Sequence, residues 1–255
     1  MGGVFLLYRA YNGALPPSVC SRGYWRDAAA NLADVRVLAV AAMTVALRVA
    51  VKFLKVPLAA GLSLTFDCYV NAVGALICGP LAALLIGAVS DTVGCIVAPT
   101  GPYFFPFIFV EMTSGFLFAL FFWRRPLTVT RTLAAKGCVN FLCNIVMNSV
   151  FIKWQCYLLY GLEEARAYNL VNLVRIGKNL ILFPLEAVLI LLLLRALLPP
   201  LAEMGLVPRS VLPAQESRWR VVLAVTLTFL VSVALVLFYI FFLKDFLSAH
   251  NVKWL

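Results

Sequence analysis

The amino-acid sequence predicts an all-α integral membrane protein, and two observations carry that prediction. Hydrophobic residues make up 64% of the chain and charged residues 13%, with a mean hydropathy of +0.98. Soluble domains carry about 25% charged residues, so a water-soluble fold of this size lacks the polar groups to cover its surface. The apolar residues also come in continuous runs rather than in alternation, which selects helices over a membrane β-barrel. The net charge of +10 then reads as topology, because Lys and Arg gather in cytoplasmic flanks. A nucleic-acid-binding domain would need that charge on an exposed face, so no nucleic-acid partner is expected; the partner is the lipid bilayer.

A spanning helix needs roughly 20 apolar residues, fewer when sheltered by neighbours. Residues 1–34 read as a polar extension containing Pro and Gly. The first span covers 35–56 and is followed by a loop at 57–65 with Pro57, Gly61 and Ser63. A short second helix, 66–78, ends at Gly79-Pro80, a breaker with turn chemistry. The third covers 81–98, the fourth 104–123 up to Arg124-Arg125-Pro126, and the fifth 138–160 up to Gly161. The sixth, 173–198, is ended by Pro199-Pro200, and 219–243 is a seventh, strongly apolar span. The chain therefore divides into the extension, a six-helix membrane domain over 35–200, a cytoplasmic linker at 201–218, an additional transmembrane helix over 219–243 and a tail at 244–255.

With the N-terminus inside the cell, the inner segments hold Arg9, Arg22, Arg26, Arg36, Arg124, Arg125, Arg131, Lys136, Arg195, Arg209, Arg218 and Arg220, more than half of the 21 basic residues. A multi-pass protein of the cell membrane with a cytoplasmic N-terminus is expected. Val4-Phe5-Leu6-Leu7-Tyr8 is too short for the apolar region of a cleavable signal peptide. None of the seven cysteines forms a Cys-x-x-Cys pair, so they read as free thiols in helix packing, without a metal site or disulfide. The single His250 argues against Ser-His-Asp catalysis. No Gly-x-x-x-x-Gly-Lys-[Ser/Thr] loop is present, so any ATP hydrolysis belongs to other subunits. No cofactor is expected, and an enzyme is not.

Ionisable residues inside spans cost several kcal/mol unless paired or wetted, which makes each a functional candidate. Arg48, Asp91, Glu111, Lys153, Arg175 and Lys178 all fall in the outer half under this topology, at depths of roughly 10 Å or less. Four bases against two acids favour a polar cavity that opens outward to an anionic ligand. Plainer readings stand beside that one: an Arg48–Asp91 ion pair, a Glu111 pair with Lys178 or Arg175, and Lys153 snorkelling to the surface. Arg175 and Lys178 lie three residues apart on one helical face, suited to a carboxylate or, equally, to lipid headgroups. The uncharged loop Pro99-Thr100-Gly101-Pro102-Tyr103-Phe104-Phe105-Pro106 suits a flat ligand that stacks, with Trp154 as a further wall, or an interfacial aromatic belt. Ala42, Ala46 and Ala50 form a small-residue face for close helix packing, internal or against another membrane subunit.

Several of these pieces occur in a characteristic order: Ala46-Leu47-Arg48-Val49; Gly79-Pro80, then Gly87-Ala88-Val89-Ser90-Asp91-Thr92-Val93-Gly94; Pro99-Thr100-Gly101-Pro102-Tyr103-Phe104; and Arg175-Ile176-Gly177-Lys178-Asn179 leading to Pro184-Leu185-Glu186. Over roughly residues 36–200 the ordered set resembles the folate-specific S component, the substrate-binding subunit, of energy-coupling factor (ECF) vitamin transporters. The resemblance implies a six-helix subunit with an outward pocket beneath the loops after its first and third helices. It implies that the alanine face meets a transmembrane coupling subunit driven by two cytoplasmic ATPase subunits, and that transport proceeds by toppling of the whole S component. It further implies Arg48, Arg175 and Lys178 at the glutamate moiety or polar parts of folate. Asp91 would accept hydrogen bonds from the pterin edge, Tyr103 would stack, and Glu111 would stand in the same site. The chain departs from the pattern in its extra seventh helix, its longer N-terminal extension, the entry Phe66-Asp67-Cys68-Tyr69-Val70-Asn71, and Asn148-Ser149 lying far from Tyr160-Gly161. Rival readings are another flat or anionic vitamin, a self-sufficient secondary transporter, or a membrane enzyme using Asp91 and Glu111 as an acid–base pair.

Overall fold

The computed structural model describes residues 19–59, 62–97, 103–161, 173–213 and 217–238. They form a helical membrane bundle, with one short hairpin in the first loop. Among the described residues, Pro80–Val97, Val129–Leu159 and Leu182–Glu203 are long and apolar enough to cross a membrane, and Asp67–Cys78 and Phe107–Phe122 are shorter apolar helices.

The first element lies in the segment expected to be a polar extension. Helix α1, Arg22–Leu32, is capped by the Ser21 hydroxyl, which accepts from the Tyr24 amide at 3.3 Å. Its Tyr24, Asp27 and Ala28 are buried, a spacing that defines one helical face. That face packs on Trp123, with the Tyr24 and Trp123 rings edge to face at 5.0 Å. Arg124 donates to Asp27 at 2.9 Å and lies over the Trp123 ring. Burial pushes the Tyr24 hydroxyl up to about 12, outweighing the opposing pull of Arg125 and Arg124. The Asn31 amide donates to the Cys78 carbonyl at 2.9 Å and so ties α1 to the break between the next two core helices.

Helix α2, Val35–Val51, is capped by Asp34 and stops five residues short of the expected end. Strands β1 (Lys55–Ala59) and β2 (Leu62–Thr65) then pair antiparallel, with Lys55 opposite Thr65 and Pro57 opposite Ser63. Pro57 forces the preceding residue into extended backbone, which favours a strand over further helix. Helix α3, Asp67–Cys78, ends at Gly79, whose φ of 84° only glycine adopts at low cost. Pro80 then opens α4, Pro80–Val97, the first-turn position that suits its missing amide hydrogen.

Helix α5, Phe107–Phe122, begins three residues later than expected. It crosses α4 through two glycines. A Cβ on Gly87 would sit 2.7 Å from the Glu111 carbonyl oxygen and the Met112 amide nitrogen, and one on Gly115 would sit 2.9 Å from the Ala83 carbonyl oxygen. Backbones this close are the small-residue packing of membrane helices. Gly87→Ala is therefore expected to lower stability by about 1–3 kcal/mol, as overpacking does. A thermal-unfolding midpoint in detergent equal to wild type would refute that.

The next helix begins earlier than expected, at a Thr128 N-cap. Helix α6, Val129–Cys138, runs into a π-helical segment, Val139–Met147, and on into α7, Asn148–Tyr160, ending at Gly161. Helix α8, Leu173–Glu203, continues through Pro199 and Pro200. Prolines lack the amide donor but keep the carbonyl, and the Met204 amide donates to the Pro200 oxygen at 3.0 Å. A 3-10 turn, Arg209–Val211, leads to α9, Arg218–Phe238, in the place of the additional C-terminal helix; 239–243 lie outside the described residues.

The main core joins α2, α3, α4, α5, α6 and α8 through residues such as Leu76, Phe118, Phe122, Ile190 and Leu194. Leu85, Val89, Leu185, Val188 and Leu192 stay exposed. Large exposed apolar side chains on spanning helices are the lipid-facing surface of a membrane bundle.

Candidate functional site

A cavity of about 660 Å³ opens among the helices of the bundle, with Thr65 of β2 also in its lining, within the size range of small-molecule sites. Lys52, Asp67, Asp91, Tyr103, Glu111, Lys136 and Glu186 contribute to its lining.

The wall toward α2 holds its most ordered charge cluster. Arg48 is fully buried, at 0% exposure. Its Nε donates to Asp67 Oδ1 at 2.9 Å, its Nη2 to Asp67 Oδ2 at 2.7 Å, and Nη2 also pairs with Glu111 Oε2. A planar guanidinium matches a carboxylate in this two-pronged fashion. Arg48 thus ties α2 to α3 and α5, and it pairs with neither Asp91 nor the ligand space directly. Asp91 instead faces Lys52 at 3.6 Å, and Lys52 also donates to the Ser90 carbonyl at 3.5 Å. Glu111 pairs with Arg48; Arg175 and Lys178, its alternative partners in the plainer reading, have side chains outside the described residues.

The floor carries a pair that sequence reasoning placed elsewhere. Lys136, expected in a cytoplasmic flank, is 2% exposed and donates to Glu186 Oε2 at 2.8 Å, joining α6 to α8. The early start of α6 at Thr128 explains the difference, because it draws Lys136 two turns into the helix. Glu186 stands inside the sixth apolar span, where an intramembrane acid is itself a signal, beyond its place in the motif Pro184-Leu185-Glu186.

Aromatic side chains form another wall. Tyr103, Phe104 and Phe107 line the cavity, and Tyr103 is half-exposed. Phe104 meets Phe107 at 5.8 Å and Trp154 at 5.6 Å, both edge to face, so Trp154 braces that wall. The prolines expected beside it, Pro99 and Pro102, lie outside the described residues. The carboxamides of Asn144, Asn148 and Gln155 also line the cavity. Asn144 donates to Asn140 Oδ1 at 3.0 Å and to Asn179 Oδ1 at 3.2 Å, along the π-helical segment. Such segments often mark functional positions. Ser114, held by Asn71 at 3.1 Å, adds a hydroxyl.

The structure thus gathers Asp91, Tyr103 and Glu111 around one cavity, sets Arg48 behind its wall, and leaves Lys153 out of the lining. Arg175 and Lys178 lie in the first turns of α8, and their side chains fall outside the described residues. Ala42, Ala46 and Ala50 share an exposed face of α2 with Met43 and Leu47. Among the described lining residues, four carboxylates stand against two lysines. Arg48 is sequestered behind the wall, and Asp67 and Glu186 join the lining.

Comparison with known proteins follows this geometry. Residues 36–194 match the family described as "ECF transporter, substrate-specific component". The chain is 30% identical over 119 residues to a protein named folate transporter FolT from Clostridium novyi (strain NT), a match covering 47% of this chain and 64% of that one. It is 29% identical over 109 residues to a protein of the same name from Leuconostoc mesenteroides subsp. mesenteroides, covering 42% of this chain and 57% of the other. The crystal structure of FolT bound with folic acid shares the fold, with a TM-score of 0.52 and 24% identity over 62% of this chain and 91% of that one. A family match across more than half the chain, on a helical membrane bundle with a polar cavity, makes this protein a member of the ECF transporter substrate-specific components.

Proposed function

We propose that this chain captures folate from outside the cell and delivers it inward by toppling in the membrane. A transmembrane coupling subunit and two cytoplasmic ATPases would drive that motion. The observation that carries the substrate is the kinship with two proteins named folate transporters. The cavity's chemistry supports it. A flat pteridine suits the wall of Tyr103, Phe104 and Phe107, and its hydrogen-bonding edge suits carboxylates such as Asp91 and Glu111. The glutamate end of folate, with its two carboxylates, calls for cations, and Arg175 and Lys178 are proposed for it.

The exposed Ala42, Ala46 and Ala50 face is proposed to dock the coupling subunit, where small side chains let helices approach closely. The N-terminus is proposed on the cytoplasmic side, with 201–218 as a cytoplasmic linker. Chemistry is left to the ATPases, and this chain acts as a binding subunit rather than an enzyme.

Calorimetric titration of the purified chain with folate, alongside a panel of other vitamins, tests the reading. Folate is expected to bind tightest; tight binding of another vitamin with none for folate would overturn it. Arg175→Ala is expected to weaken folate binding by about 2–4 kcal/mol, the cost of losing one desolvated charge partner. Unchanged affinity in the folded variant would remove Arg175 from the site.

A further inference from the structure

We infer that Glu111, oriented by Arg48 and flanked by Asp67, is the residue that selects ligands by a donor-rich, amino-bearing heterocycle edge; this rests on the folate reading above. Arg48 has no exposure and spends its Nε and Nη2 on carboxylates. It therefore meets no ligand itself and acts as a positioning residue. Both Asp67 oxygens accept from Arg48, whereas Glu111 is held by Oε2 alone. Glu111 Oε1 accepts from none of the described residues, and the Glu111 side chain, 28% exposed, faces the cavity.

One guanidinium stands against two carboxyl groups on this wall. Such a wall accepts N–H donors and offers no cation to the carboxylate end of an anionic ligand. The 2-amino group and N3–H of a pterin present two donors side by side, the arrangement a carboxylate receives best. The Gly87 crossing fixes the position, since the Glu111 carbonyl rests directly on that glycine. Charge and geometry thus divide the cavity into an acidic end for the ring and a remainder for the tail.

The test measures affinities of the full-length chain, wild type and variants, for three probes: folate, bare pterin, and p-aminobenzoylglutamate, which lacks the ring. Glu111→Gln is expected to weaken folate and pterin by roughly 10- to 100-fold, the range for hydrogen bonds to a charged group, and to leave p-aminobenzoylglutamate unchanged. A pterin carrying methyl in place of the 2-amino group, which keeps only N3–H, is expected to lose less affinity on Glu111→Gln than pterin itself. Arg48→Lys, which keeps the charge but loses the fork, is expected to lower pterin affinity selectively; a merely structural role would lower all three probes together. Unaltered pterin affinity in Glu111→Gln, or an equal loss for p-aminobenzoylglutamate, overturns the assignment while leaving folate as the ligand. Failure of the wild-type chain to bind either folate or pterin overturns both readings.

Discussion

Lys136→Met is expected to destabilise the protein by about 3–5 kcal/mol, because it strands Glu186 as an uncompensated charge inside the bundle. Lys136 is 2% exposed and bonded to Glu186 at 2.8 Å, and Glu186 is itself buried at 8%, so little water reaches the pair to soften the loss. The pair links α6 to α8 across the cavity floor, and thermal unfolding of the purified protein in detergent reads its contribution. The double replacement Lys136→Met with Glu186→Leu is expected to recover most of the loss, since two apolar residues of similar volume need no partner. A single variant within about 1 kcal/mol of wild type would show that the pair is not what joins these helices.

Arg48→Met has a comparable expected effect by a different route. Removing the cation leaves Asp67 and Glu111 facing each other at the cavity wall with nothing between them. Breaking a buried charge assembly by taking one partner costs about 3–5 kcal/mol, and mutual repulsion of two carboxylates adds to it. The unfolding midpoint of Arg48→Met should fall well below that of Glu111→Gln, which relieves charge instead of exposing it. Adding Asp67→Asn and Glu111→Gln to Arg48→Met is expected to restore much of the stability. Equal midpoints for Arg48→Met and wild type would contradict the threefold assembly seen here.

Both predictions concern residues whose importance the sequence conveyed unevenly. Arg48 and Glu111 are charges within apolar runs, and that context alone marked them. Their partners were not legible, because pairing depends on how α2, α3 and α5 cross. Asp67 stood out only in a stretch that departs from the family pattern, because a helix start is an ordinary place for an acid. Lys136 was read as a flank charge because the apolar run begins after it; the helix begins earlier, at Thr128. Helix α1 had a readable signature in Ser21 and the Tyr24, Asp27, Ala28 spacing, but its polar composition hid it behind the search for spans.

What the sequence by itself determined is the class of protein. An apolar fraction of 64% excludes a soluble fold, helix breakers mark most span ends, and intramembrane charges announce a polar interior. Its ordered motifs also led to the family that the match over residues 36–194 establishes. Only the tertiary structure decided which of the described charges face the cavity. Counted along the chain, the intramembrane charges favour cations, four to two. In space, Arg48 is consumed by Asp67 and Glu111, while Asp67, Lys136 and Glu186 are drawn into the lining. The reason is physical: a sequence carries formal charges, but a ligand meets only those that packing leaves facing the cavity.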